Sequence, residues 1–237
     1  MVGGTGGIGH GVAAALAARG ADIFLLGGRS APRMERSLAE LRASGAKAEG
    51  RLLDLETEIE AAVEFAREGA FDMLVVSFGP FLQSPLAKTS TAEWLRMASL
   101  NLVLPGALAT AILPGMEQRK WGRMVFFGGT GTDTIKGYKT NAPYAAAKTG
   151  LGVLARSIAL QHSGDGIAAF VVCPGLVETE YIDAETASRL SAKAPGGRLI
   201  ETAALGETIA ELASRDPCLV SGSIIAMDAG LDFAKGS

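Results

Sequence analysis

The chain has 237 residues, 22 of them Lys or Arg and 25 Asp or Glu, for a formal net charge of −3. That balance offers no basic footprint for nucleic acid, and 48% hydrophobic against 20% charged residues excludes a disordered chain. Two cysteines, Cys173 and Cys218, are too few for a disulfide framework, and free thiols fit a reducing cytoplasm.

The chain opens on Met1-Val2-Gly3-Gly4-Thr5, with no basic stretch leading into an apolar run, so nothing here reads as a signal peptide. The glycine-rich segment Gly3 to Gly9 leads into a helix expected over His10 to Arg19. Short apolar runs predict buried parallel strands at Ile23–Leu26, Met73–Val76, Met124–Phe127, Ala168–Cys173 and Ser223–Met227. Helical patterns lie between them, over Arg33–Ser44, Thr57–Glu68, Thr91–Glu117, Tyr144–His162 and Ile200–Ser214. Leu100 to Met116 is a long uncharged stretch. It is shorter than the roughly 20 residues of a membrane span and carries Asn101, Pro105 and Pro114, so it reads as a buried or interface helix. Strands alternating with helices imply an α/β fold, a Rossmann-like doubly wound parallel sheet in a single domain over residues 1–237. The first strand is the exception, because only Met1-Val2 precede the glycine-rich turn where about five apolar residues are expected. That strand is apparently truncated. The expectation is that the natural chain begins several residues upstream; the alternative is a damaged phosphate loop.

Glycines at a strand-to-helix turn permit close backbone approach, and the helix start offers free N–H groups and partial positive charge to a diphosphate. Gly3, Gly7, Ile8 and Gly9 are therefore candidate cofactor residues. Their spacing resembles the TGxxxGIG loop of the short-chain dehydrogenase/reductase family, with Val2 in place of the usual Thr. The resemblance runs through nearly the whole chain. Asp54, followed by Leu55, matches the family Asp that contacts adenine, and Gly79 is what survives of the family NNAG segment. Asn101 matches the helix Asn, and Tyr144-Ala145-Ala146-Ala147-Lys148 matches YxxxK. Pro174, Gly175, Val177 and Thr179 match the PGxxxT stretch beside the nicotinamide, and Ser221-Gly222 with Asp228-Ala229-Gly230 matches the final strand. Leu176 to Leu199 resembles the family's variable substrate lid.

Tyr144 and Lys148, four positions apart, share one helix face. A cation within about 4–6 Å favours phenolate, so Lys148 is expected to lower the Tyr144 pKa and make it an acid/base. The resemblance also implies that Lys148 holds the nicotinamide ribose and that Asn101 anchors a water leading to solvent. The family Ser is missing: aligned positions fall on Gly129 or Gly131, leaving Thr130 as the best substitute and Thr132 as the second. Gly27 stands where NAD-preferring members carry an acid, and Arg29 with Ser30 can grip a 2′-phosphate, so NADP is favoured over NAD.

These features predict an NADP-dependent oxidoreductase transferring a hydride between nicotinamide and a carbonyl or alcohol. By resemblance it is a homodimer or homotetramer, in the cytoplasm, with no nucleic-acid or membrane partner. A non-catalytic dinucleotide-binding or scaffold protein is the alternative, suggested by the absent Ser and short first strand; a methyltransferase reading leaves Tyr144 and Lys148 without a role. No metal site is expected, since neither His10 nor His162 has an acidic cluster at ligand spacing. Cys173 reads as a buried inert thiol, and Trp94 and Trp121 as packing residues.

Overall fold

The protein is described by a computed structural model covering residues 1–231. Six parallel strands build the main sheet: β1 (Ile23–Leu26), β2 (Ala48–Arg51), β3 (Met73–Val76), β4 (Gly122–Phe127), β5 (Ile167–Pro174) and, last in the chain, β8 (Ile224–Met227). β1 pairs with β2, while β3, β4, β5 and β8 pair in that order. Every residue of β4 and β5 is buried, as expected of strands covered on both faces. β2 runs Ala48-Glu49-Gly50-Arg51, with only Ala48 buried. It escapes hydrophobic patterning because it is an edge, where charged side chains discourage pairing with other chains.

Ahead of β1 the chain adds a short stub to the sheet. Val2 bridges Leu26 on one side and Val76 on the other, and is the link between the two halves of the sheet. The Met1 ammonium donates to Phe24 O at 2.8 Å, and burial lowers its pKa from 8.0 to about 5. Beyond Met1, between β1 and β3, lies a slot of about 640 Å³ whose walls include Phe24, Phe71, Met73, Val75 and Trp121.

Helices cover both faces. α1 (Gly7–Ala18) and α2 (Ala31–Ala43) lie on one side with α8 (Thr202–Ser214). α3 (Ile59–Glu68), α5 (Leu104–Arg119) and α6 (Ala142–His162) lie on the other. α1 and α8 pack backbone to backbone: a Cβ on Gly206 would stand 2.3 Å from Gly11 O. The expected Thr91–Glu117 helix is instead α4 (Thr91–Ala98), a π turn (Ser99–Val103) and α5. The run Thr91–Arg119 is long and apolar enough to span a membrane by length and composition, but half of its most apolar stretch is packed inside the fold. At the sheet's N-terminal edge Arg123 is 1% exposed, and its guanidinium donates to Gly122 O, Gly166 O, Arg215 O and Asp216 Oδ1.

The predicted lid is tied at both ends by a separate two-stranded ladder. Val177 of β6 (Val177–Glu178) pairs with Ile200 of β7 (Ile200–Glu201), and α7 (Ala184–Ser191) lies between them. Trp94 is 39% exposed, not the packed residue expected; Trp121 lies under the Arg123 guanidinium at 4.5 Å. The acids expected to be absent around His162 are present. Its Nδ1 lies 3.1 Å from Glu117 and 3.9 Å from Asp165, brought together from the end of α5 and the turn after α6. Lys120 already bonds Asp165 and supplies cationic charge there.

Candidate active site

The candidate residues gather at the C-terminal ends of the parallel strands, where open α/β sheets bind ligands. Gly3, at φ +82°, turns the chain directly beneath Phe78; a Cβ would stand 2.8 Å from Phe78 N. The Ser77 hydroxyl lies 3.1 Å from Val2 O and 2.9 Å from Gly3 O, holding the loop in place. In the sequence Ser77 is only one of the positions that depart from the NNAG segment. Gly9 packs against Gly3 O, Ile8 is half-buried, and Gly7 begins α1 without a side-chain cap from Gly6. Thr179 and Tyr181 lie over Gly7, so the segment after β5 closes on the loop.

A second cavity, about 410 Å³, is bordered by Thr5, Arg29, Ser30, Arg33, Asp54 and Leu55. Arg29 reaches Asp54 Oδ1 at 2.9 Å and Glu56 at 3.8 Å. Hydrogen bonding to Asp54 holds the Arg29 pKa up, and the same bond holds the Asp54 carboxyl down. The Ser30 hydroxyl accepts from Arg33 N, capping α2, which leaves its proton free to donate. Leu55 is buried against Gly27, so its side chain supports the floor of this cavity.

Tyr144 and Lys148 lie on α6, with Lys148 Nζ 5.8 Å from the Tyr144 ring centre. Lys148 is 4% exposed and Asn101 fully buried. A Cβ on Gly79 would stand 2.3 Å from Asn101 Oδ1 and 2.8 Å from Lys148 Nζ, so this glycine leaves the two polar ends room to converge. Asn101 sits in the π turn, a frequent device at functional sites. Its Nδ2 donates to Pro80 O, while Oδ1 is buried and accepts no hydrogen bond among the described residues. Burial acts against the expected electrostatics: it pushes the Tyr144 phenol up to about 12 and the Lys148 ammonium down to about 8. The phenol is therefore neutral at pH 7 and is not acidified by its neighbour.

The hydroxyl question also resolves geometrically. A Cβ on Gly129 would stand 2.9 Å from Tyr144 OH, so the aligned position abuts the phenol but offers no hydroxyl. The Thr130 hydroxyl donates to Pro174 O at 3.0 Å, and Thr132, 2% exposed, caps its own turn through Gly129 N and O. The Thr130 hydroxyl is thus engaged by the Pro174 loop and the Thr132 hydroxyl by its own turn. Gly175 N donates to Met227 O, fixing Pro174-Gly175 beside β8. The Cys173 thiol is pushed up to about 11 by burial and is inert.

A family model described as short chain dehydrogenase matches residues 1–189. The chain belongs to the short-chain dehydrogenase family. As a short-chain dehydrogenase it is an oxidoreductase working on carbonyl or alcohol groups with a nicotinamide cofactor. It is 30% identical to a protein assigned as ketoacyl reductase 1 of the granaticin polyketide synthase of Streptomyces violaceoruber, over 98% of this chain and 91% of that one. It is 28% identical to the 3-oxoacyl-[acyl-carrier-protein] reductase FabG of Escherichia coli K12, over 98% and 95% of the two chains. Among solved structures it resembles a variant of actinorhodin polyketide ketoreductase with NADPH, at TM-score 0.86 and 29% identity, covering 97% of this chain and 95% of that one. This short-chain dehydrogenase thus shares its fold with a ketoreductase whose structure holds NADPH.

Proposed function

We propose that this chain is an NADP-dependent reductase of 3-oxoacyl-type carbonyls, with Tyr144 as the proton donor. The observation that carries the reading is the convergence of buried Lys148 and Asn101 Oδ1 beside Gly79, with Tyr144 one helical turn from Lys148. The residues fit the cofactor: a glycine-rich helix start for the diphosphate, Arg29 and Ser30 for the 2′-phosphate, and Lys148 for the ribose. Bound there, the cofactor supplies the hydride.

The chain's own task is the proton. Tyr144, neutral up to about pH 12, gives its hydroxyl proton to the carbonyl oxygen as negative charge develops. Lys148 stabilises the resulting phenolate while its ammonium is charged, which holds below about pH 8. Asn101 Oδ1, without a donor among the described residues, is an acceptor for a water that returns the proton. Thr130 steadies the Pro174 loop, and its one proton cannot serve Pro174 O and a substrate oxygen together. Thr130→Val therefore slows turnover about tenfold or more, and Thr130→Ser restores it. Normal kinetics in Thr130→Val would remove Thr130 from the site.

Arg29 decides between the cofactors. Arg29→Ala weakens NADPH binding by about tenfold and leaves NADH binding unchanged, read by fluorescence titration. Exposed Val103, Val153 and Leu160 on α5 and α6 and their approaches support self-association. The direct test is NADPH oxidation against 3-oxoacyl thioesters, simple ketones and quinones. Turnover confined to the thioesters supports the reading; NADPH binding without turnover of any substrate favours a non-catalytic binding protein, consistent with Gly129 in place of a hydroxyl.

A further inference from the structure

The start of α1 is the diphosphate seat on the reading above, and it already holds an anion. Gly7 N donates to both oxygens of Glu180, at 3.1 and 3.0 Å. Nothing else in the loop explains the contact: Gly6, at the N-cap, has no side chain to satisfy this N–H. Glu180 and Tyr181 lie flat over the turn, with Glu180 Oε1 2.0 Å and the Tyr181 hydroxyl 2.2 Å from where a Gly6 Cβ would be. Arg33 covers the Tyr181 ring at 5.1 Å, and burial with the Glu180 carboxylate nearby pushes the phenol up. Arg33 in turn borders the cavity that also holds Arg29 and Ser30. Three side chains from two segments thus pin the lid's first turn onto the glycine-rich loop.

We propose that Glu180 is an internal competitor for the diphosphate, a latch that the cofactor must displace to bind. A carboxylate and a diphosphate seek the same N–H groups and the same partial positive charge at a helix start. Two anions on one N–H repel, so seating the diphosphate expels Glu180. The turn that leaves is covalently joined to α7 through Asp183, which caps that helix through Thr186 N. Cofactor entry is therefore coupled to release of the lid between β6 and β7. The latch costs affinity in proportion to its closed population, because apparent binding weakens by the fraction of protein that is binding-competent.

The inference rests on the dinucleotide reading of the loop, and the test separates the two. Full-length wild type, Glu180→Gln, Glu180→Ala and Glu178→Gln are titrated with NADPH and with inorganic pyrophosphate. Glu178, exposed on the same strap, reports the effect of removing a nearby charge without the hydrogen bond. The latch requires both Glu180 variants to bind NADPH about three- to tenfold tighter than wild type, with pyrophosphate following, and Glu178→Gln to stay within twofold. If wild type binds NADPH and the Glu180 variants bind no tighter, or if Glu178→Gln tightens equally, the latch is wrong and the dinucleotide site stands. If none of the four proteins binds NADPH, the dinucleotide reading falls and the latch with it.

Discussion

Tyr144→Phe abolishes carbonyl reduction, by about 10³-fold or more in kcat, while NADPH binding and folding stay near wild type. A positioned proton donor contributes about 10²–10⁴-fold, and Gly129 at the aligned strand end brings no hydroxyl to share the task. The ring itself is retained, with its edge contact to Phe81 at 5.1 Å and the Lys148 ammonium 5.8 Å from its centre. A uniform loss of kcat with unchanged cofactor affinity marks the hydroxyl as acting on the reacting oxygen. Residual activity within tenfold of wild type would reassign the donor. Lys148→Met offers the contrast in stability. A lysine whose folded pKa is lowered from 10.5 to about 8 binds fewer protons than the unfolded chain between those values. Wild-type stability therefore rises with pH across that window, and the burial penalty, about 3 kcal/mol, is fully present below pH 8. The Met variant escapes it: inactive, and more heat-stable than wild type at pH 7. Function here is held at the expense of stability.

What the sequence made legible is what depends on local pattern. Apolar runs such as Met73–Val76 and Ala168–Cys173 announce parallel strands because both faces are covered, and spacing of four places Tyr144 and Lys148 on one face of α6. What stayed hidden depends on tertiary burial or on segments far apart in the chain. The sign of the Tyr144 shift could not be read from spacing, because desolvation is its largest cause and is set by the whole fold. The π turn at Asn101 has no compositional signature, since Ser99 to Val103 continues an ordinary helical pattern. Glu180 lies 173 positions from Gly7, and read in sequence it is one more acid in a lid. Ser77 was visible as a departure from a motif, yet its bonds to Val2 and Gly3 carbonyls turn that departure into loop support. His162 gained its acidic neighbours the same way, from elements that sequence distance keeps apart.

Extending the chain by four or five β-branched residues ahead of Met1 raises the melting temperature by at least about 5 °C. Val2 already bridges β1 and β3, so a strand added ahead of it would run between them at the usual spacing of about 4.8 Å. The slot there, about 640 Å³ and lined partly by Phe24, Phe71 and Met73, suits alternating apolar side chains. Each Val or Ile buried in it contributes about 1.5–3 kcal/mol, and each ladder bond about 0.5–1.5, against about 1.5 per residue for ordering. The sum is a few kcal/mol, and in a chain of this size each is worth about 2–4 °C. A second gain comes from charge. The Met1 ammonium, lowered to about 5 from 8.0, makes the unextended protein more stable as pH rises from 5 to 8, because the unfolded chain binds the extra proton there. An extension moves that charge out of the slot, so its benefit is greater at pH 5 than at pH 8. A Gly-Ser extension of equal length removes the charge but fills nothing, and it gives the pH-dependent part alone. Equal melting temperatures for the two extensions would mean that β1 and β3 are not waiting for a strand, and that the stub at Val2 is enough to join the halves of the sheet.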